Sequence, residues 1–116
     1  MQHDFEKHLW DIHNAGIDVL EYTHGKDFVA YQGDSLLRAG VERKFSIIGE
    51  AVRRLRHQFP EESKQIQHAD EIIAFRNTLA HEDDSGEDRI VWDIVERELP
   101  ILIAEVTVLL DEWHQG

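Results

Sequence analysis

The stretch DSLLRAGVERKFSIIGEAVRRLRHQFP, residues 34–60, decides the fold. Leu37, Val41, Phe45, Ile48, Val52, Leu55 and Phe59 follow one another at steps of three and four, which sets an apolar stripe along one face of a helix of about six turns. Asp34 or Ser35 is placed to cap its start. Pro60 closes it, because the residue before a proline avoids the α conformation.

The same period runs outward in both directions. Phe5, Leu9, Ile12, Gly16 and Leu20 predict a first helix from about His3 to His24, with Gly25 as the residue that can turn left-handed after it. The loop from Lys26 to Gly33 carries Phe28 and Tyr31, which are expected to fold back onto the bundle. Beyond Pro60, Glu61 to Gln67 reads as a short helical turn. Asp70 is expected to cap a third helix running through Ala80, with Asp70 and Glu71 at its positive end. The run from Glu82 to Asp88 reads as a polar loop. Val91, Val95, Leu99, Leu102, Val106, Leu109 and Trp113 form the last stripe, and Pro100 within it predicts a kink or a break near Leu99.

No segment alternates at period two for long enough to be a strand. The expectation is therefore an all-α, up-down bundle of four to five helices, one domain over residues 1–116. The stripes on the second and last helices carry more apolar surface than a small monomer easily covers, so a dimer is expected.

Composition narrows the function classes. The chain has 116 residues and 41% hydrophobic against 31% charged residues, the balance of a globular protein. No apolar run approaches the roughly 20 residues of a membrane span, and the N-terminus has neither the basic nor the apolar region of a secretory signal. With no cysteine, disulfide scaffolds, thiolate zinc sites and cysteine nucleophiles are excluded, which is compatible with a cytoplasmic protein. The net charge of −12 argues against general charge-driven nucleic-acid binding. That charge is unevenly spread. Arg38, Arg43, Lys44, Arg53, Arg54 and Arg56 against Asp34, Glu42 and Glu50 leave residues 34–59 at +3 and the rest at −15.

The third helix holds the candidate chemistry. Arg76 falls within the stripe of Ile72, Ile73, Leu79 and Ala80. A guanidinium pointing inward needs a carboxylate, a phosphate or a water-lined cleft. A structural arginine paired with Glu50 satisfies that need as well as a phosphate ligand does, and spacing leaves both open. His81 follows at the helix end. Arginine and histidine together suffice for phosphodiester chemistry, the cation holding phosphate and the imidazole moving a proton. Five residues apart on an ideal helix they point about 140° away from each other, so His81 must swing round to join Arg76.

The surroundings are more specific than this pair. Ile72-Ile73-Ala74-Phe75-Arg76-Asn77-Thr78-Leu79-Ala80-His81 resembles the HEPN motif, R-N followed by three residues and His. Tyr22-Thr23-His24-Gly25, Phe45-Ser46-Ile47-Ile48-Gly49-Glu50-Ala51, and Ile90-Val91-Trp92-Asp93-Ile94-Val95 followed by Leu99-Pro100 are similar to segments of HepT-like proteins, in the same order along nearly the whole chain. The resemblance to the HepT-like members of the HEPN superfamily implies a homodimeric helical toxin paired with a small nucleotidyltransferase-type antitoxin, MntA. It further implies a metal-independent endoribonuclease with the R-x-x-x-x-H motifs of two subunits across a shared cleft. Carried over by position, Arg76 would stabilise the scissile phosphate, His81 would act as general acid or base for attack by the ribose 2′-hydroxyl, and Asn77 would support the pair. Such a reaction needs no cofactor and no metal.

Two residues are weighed beside this motif. Gly49 inside a helix costs about 1 kcal/mol against alanine, which predicts a close helix approach there. Glu50 next to it either orients Arg76 or balances its charge. One position departs from the family. Two residues after the histidine, HepT-like proteins typically carry a tyrosine that the antitoxin modifies with AMP, and here Asp83 stands in its place. Glu82, Asp83, Asp84, Glu87 and Asp88 crowd the same stretch. They would repel RNA phosphates and favour the charged imidazolium of His81 if they faced the cleft, or form a solvated loop, or dock a basic partner. An alternative function is therefore a non-catalytic helical partner of a nucleotidyltransferase.

The remaining signals are plain. His3, His8 and His13 are five apart and share no face, and His81-Glu82-Asp83-Asp84 is not H-E-x-x-H, so no metal site is expected. Trp10, Trp92 and Trp113 read as core or dimer contacts. Arg53-Arg54-x-Arg56 reads as an exposed helical face that can also line an RNA approach.

Overall fold

The computed structural model describes residues 2–78 and 85–115, with side chains described over 4–75 and 87–113. Those residues are helical almost throughout, and no strand occurs among them. The all-α expectation holds.

Helix α1 (Gln2–Thr23) buries Phe5, Leu9, Ile12, Ala15 and Val19. Its C-terminus is closed by Gly25 at φ +73°, a conformation that an L side chain rarely adopts, and the Lys26 amide donates back to the Thr23 carbonyl at 3.0 Å. The segment expected as a loop contains a short helix, α2 (Phe28–Gln32). Asp27 caps it by accepting from the Ala30 amide at 2.8 Å, and Tyr31 is turned fully into the core. Five residues are too few to show a period, so only the folding back of this segment was readable.

Helix α3 (Ser35–Gln58) matches its stripe. Leu37, Val41, Phe45, Ile48, Val52 and Leu55 are all buried, and Asp34 caps the start by accepting from the Leu37 amide at 3.0 Å. Phe59 closes the helix and sets its ring edge-on to Phe5 at 5.0 Å. A 3₁₀ turn (Glu62–Gln65) follows the proline.

Helix α4 spans Asp70–Thr78, and residues 79 and 80 of the expected third helix lie outside the described residues. The expected cap is corrected. Ala69, not Asp70, offers the first carbonyl, accepting from the Ile73 amide at 3.0 Å. Asp70 is the first helical residue, and its carboxylate instead reaches Arg56 at 2.8 Å.

The polar loop expected through Asp88 is also corrected. Helix α5 (Ser85–Asp93) begins within it, and Glu87 and Asp88 occupy its first turn. Carboxylates are stabilising at that positive end of a helix, so an acidic run is as compatible with a helix start as with a loop. Glu82, Asp83 and Asp84 lie outside the described residues.

The break near Leu99 takes a definite form. Residues Ile94–Glu98 make a π-helical turn, with the Leu99 amide bonded to the Ile94 carbonyl, and helix α6 (Leu99–Gln115) continues from it. Pro100 has no amide hydrogen, and its ring would collide with the carbonyl four residues back in a regular helix. Widening one turn accommodates it.

The three long helices form the body. Helix α1 packs on α3 and along α6, α4 lies on α3, and α2 touches both α3 and α5. Helices α1 and α6 approach closely at Gly16. A Cβ on Gly16 would sit 2.8 Å from Ile103 Cγ1. Gly49, where a close approach was expected, is buried in α3. No helix among the described residues is long and apolar enough to cross a membrane.

Candidate active site

Arg76 and Asn77 lie on the last described turn of α4, while His81 and Asp83 lie outside the described residues. The backbone register fixes where Arg76 stands. It follows Ile72 by four residues, about 40° round the helix, between fully buried Ile72 and half-buried Ile73. This is the edge of the face that α4 lays on the body. Phe75, absent from the expected stripe, is the second anchor of that face. It is buried, with its ring edge-on to Phe45 of α3 at 6.0 Å.

Two contacts give the direction of α4. Asp70 at its start meets Arg56 near the end of α3, while Phe75 meets Phe45 eleven residues earlier in α3. Helix α4 therefore runs back along α3, from the end of that helix toward its N-terminal half. The Glu50 carboxylate accepts from Arg53 Nε at 3.2 Å, Arg53 Nη2 at 2.8 Å and Arg54 Nε at 3.0 Å. These bonds hold the Arg53 guanidinium firmly in its charged form, its pKa raised by the Glu50 hydrogen bond.

The start of α4 is tied down from α6. Glu105 accepts from the Gln67 amide at 3.2 Å, from the His68 amide at 3.1 Å and makes a 2.9 Å contact with His68 Nδ1. One carboxylate thus fixes two successive amides and an imidazole just before the helix. That hydrogen bond raises the pKa of His68, against the lowering effect of burial.

Helix α5, the next described element after the motif, is tied to α2 and α3. The Arg38 guanidinium reaches Asp88 at 3.9 Å and also donates to the Gln32 carbonyl at the end of α2. Arg89 lies 4.5 Å above the Phe28 ring. Beneath them Tyr31 packs on Trp92 at 5.4 Å. Its hydroxyl has no hydrogen-bond partner among the described residues. Burial, and then the nearby carboxylates of Glu42 and Asp88, push the phenol well above its ordinary range, so it stays protonated. In sequence, the motif thus falls between an anchor at Phe75 and another at Asp88.

Other expectations sort as follows. Trp92 is buried and Trp113 is half-buried against Phe5, as core residues should be. Trp10 is exposed, its indole N–H donating to Glu6 at 3.4 Å, so of its two expected roles it does not fill that of a core residue. Arg53 and Arg54 are exposed as expected, but Arg56 serves the α3–α4 contact. Among the described residues, no group of three or more His, Asp or Glu side chains is placed to hold a metal ion. Sequence reasoning missed Glu105, His68 and Arg38. The one available signal was Glu105 itself, an acid three residues after Leu102 in an apolar stripe.

Comparison with known proteins gives the family. The model of the HepT-like family, described as "Ribonuclease HepT-like", matches residues 12–109, and the chain belongs to that family. A relative from Methanocaldococcus jannaschii, named "Putative RNase MJ1380", is 29% identical over 106 residues, covering 91% of this chain and 96% of its own. Another from Caldanaerobacter subterraneus subsp. tengcongensis, "Putative RNase TTE0752", is 31% identical over 94 residues, covering 81% and 83%. No solved structure gives a significant match.

Proposed function

We propose that this chain is a metal-independent endoribonuclease, the toxin subunit of a HEPN/MNT toxin–antitoxin pair. The observation that carries the reading is the R-N-x-x-x-H sequence of residues 76–81, beginning on a helix bracketed by fixed contacts in a chain of the HepT-like family. The active unit is a homodimer in which two such motifs face a shared cleft, and the protein works in the cytoplasm. Its antitoxin is a nucleotidyltransferase of the MNT type.

The chemistry follows from the two side chains. The ribose 2′-oxygen attacks the adjacent phosphorus, the new P–O bond forms as the bond to the 5′-oxygen breaks, and the products are a 2′,3′-cyclic phosphate and a 5′-hydroxyl. Arg76 offsets the negative charge that builds on the phosphate oxygens. His81 takes the proton from the 2′-hydroxyl or supplies one to the leaving oxygen. Asn77 supports the pair by hydrogen bonding, and Glu50, with Arg53 and Arg54, orders the surface beside Arg76. With Asp83 at the position of the family tyrosine, AMP transfer to a phenol there is unavailable, so the antitoxin restrains this subunit by binding.

Asp83 and the acids beside it also favour a second reading, a non-catalytic helical subunit that completes a nucleotidyltransferase complex. One assay separates the two. Purified protein is incubated in EDTA with transfer RNA and a messenger, wild type beside Arg76→Ala and His81→Ala. Cleavage by the wild type alone, leaving cyclic phosphate ends, is expected. No cleavage by folded dimer, or equal cleavage by all three, overturns the ribonuclease and leaves the partner subunit.

A further inference from the structure

The end of α3, the 3₁₀ turn and the start of α4 enclose a hollow of about 400 Å³, within the range of about 300–1,000 Å³ that small-molecule sites occupy. Arg56, Pro60, Lys64 and Asp70 line it over Ile66. Pro60, Lys64 and Asp70 are exposed, while Ile66 is buried beneath the turn.

Three features of this lining decide what it can hold. The Arg56 guanidinium is fixed from two sides, by Asp70 at 2.8 Å and by the Ile66 carbonyl, which accepts from Nη2 at 3.4 Å. Neither partner is used up, because a guanidinium has five N–H donors and a carboxylate about four lone-pair sites. The pair therefore offers a donor beside an acceptor in fixed order. Secondly, the charges cancel. Arg56 is paired with Asp70, and Lys64 lies 3.0 Å from the Glu61 carboxylate, so the hollow suits a neutral group with a polar edge better than a bare phosphate. Thirdly, Pro60 and Ile66 supply an apolar wall for the face of a flat ring.

We infer that this hollow binds the base of a guanosine nucleotide. Unpaired bases are read on their Watson–Crick edges, and guanine alone among the four of RNA presents an acceptor followed by two adjacent donors, O6, N1–H and N2–H. Arg56 donates to O6, and the Asp70 carboxylate accepts from N1–H and N2–H. Adenine, cytosine and uracil each offer that carboxylate a single donor. Asp70 and Arg76 are six residues apart on α4, about 9 Å along its axis. In an RNA chain the bound guanosine thus lies near the bond that is cut, and the hollow sets a base preference there. That role rests on the ribonuclease reading, but the binding itself does not.

The test is a titration of the ¹⁵N-labelled full chain, followed by amide shifts, with guanosine, inosine and adenosine monophosphates and with inorganic phosphate. The guanosine nucleotide is expected to bind tightest and to move the amides around Arg56, Lys64 and Asp70. Inosine monophosphate lacks only the 2-amino group and should bind about fivefold more weakly, the loss of one hydrogen bond to a partly exposed carboxylate. Adenosine monophosphate should be weaker still. Asp70→Asn, its fold checked by circular dichroism, should abolish the advantage of guanosine over inosine. That order among nucleotides reads the base edge, which a mere loosening of α4 does not change. Equal affinity for all three nucleotides, or for phosphate alone, overturns the base site, and so does an order that survives Asp70→Asn. The readout is binding rather than RNA cleavage, so either proposal can fail alone.

Discussion

Helices α1, α3 and α6 and helices α4 and α5 are built on different principles. The first three run 22, 24 and 17 residues and bury a continuous stripe against one another. The last two have nine described residues each, shorter than a helix that holds itself in water. They stay in place by burying Ile72 and Phe75 of α4 and Val91 and Trp92 of α5 in the shared core, with ties to the long helices added: Arg56 to Asp70, Phe45 to Phe75, Glu105 to the amides before α4, and Arg38 to Asp88. The candidate motif begins on the short helix α4. The long helices therefore supply most of the buried stripe, and the candidate motif begins in the other region, with side-chain ties between them.

The largest effect should separate those roles outright. Arg76→Ala or His81→Ala is expected to lower RNA cleavage by about 10²–10⁴-fold, the usual cost of losing a charge stabiliser or a general acid–base. Initial rates on a labelled RNA measure it, and a loss below tenfold for either variant breaks the assignment. A substitution in the other region should act through stability instead. Leu102 is fully buried in α6, and Leu102→Ala should cost about 2–5 kcal/mol in urea unfolding, from lost burial and the cavity left behind. If Leu102→Ala left the urea midpoint unchanged, the long helices would not be the source of stability.

The tie from Glu105 tests the link between the regions. Its carboxylate is 16% exposed and holds two backbone amides, so Glu105→Ala should cost about 1–2 kcal/mol, a charged hydrogen bond discounted for partial access to water. The sharper readout is local. Amide exchange in α4 should quicken while that of α1 and α3 stays slow, because only the tie is cut. Equal acceleration everywhere would show that α4 is not separately held.

The division explains what the sequence revealed. A long stripe repeats a signal many times, so Leu37 to Leu55 fixed α3, and Gly25 and Pro100 marked their breaks through backbone chemistry that needs no partner. The R-N-x-x-x-H string was legible because it is local. Helix α2 was missed because one turn has no period, and the start of α5 because carboxylates suit a helix N-terminus and a loop equally. The ties were invisible for another reason. His68 and Glu105 are 37 residues apart, as Asp88 is far from Arg38, and neither pair follows a pattern that one strand of text displays.

The smallest prediction concerns that same tie and its dependence on pH. The hydrogen bond from His68 to Glu105 raises the folded pKa of His68, with the charges of Glu105 and Glu98 adding to it. Its unfolded value is about 6.5. Below that value the imidazole is protonated in both states, and the full contribution of the pair is present. As pH rises from the unfolded toward the folded pKa, folding retains a proton that the unfolded chain has released, and the contribution fades. Above the folded pKa it is gone. The quantity to follow is the difference in urea midpoint between wild type and His68→Gln. That difference should favour the wild type at pH 6 and shrink steadily toward pH 9. Salt should shrink it as well, since the pair is partly exposed. A difference that grew with pH would mean that neutral His68, donating through Nδ1–H, is the form Glu105 holds, and would overturn the charged pair.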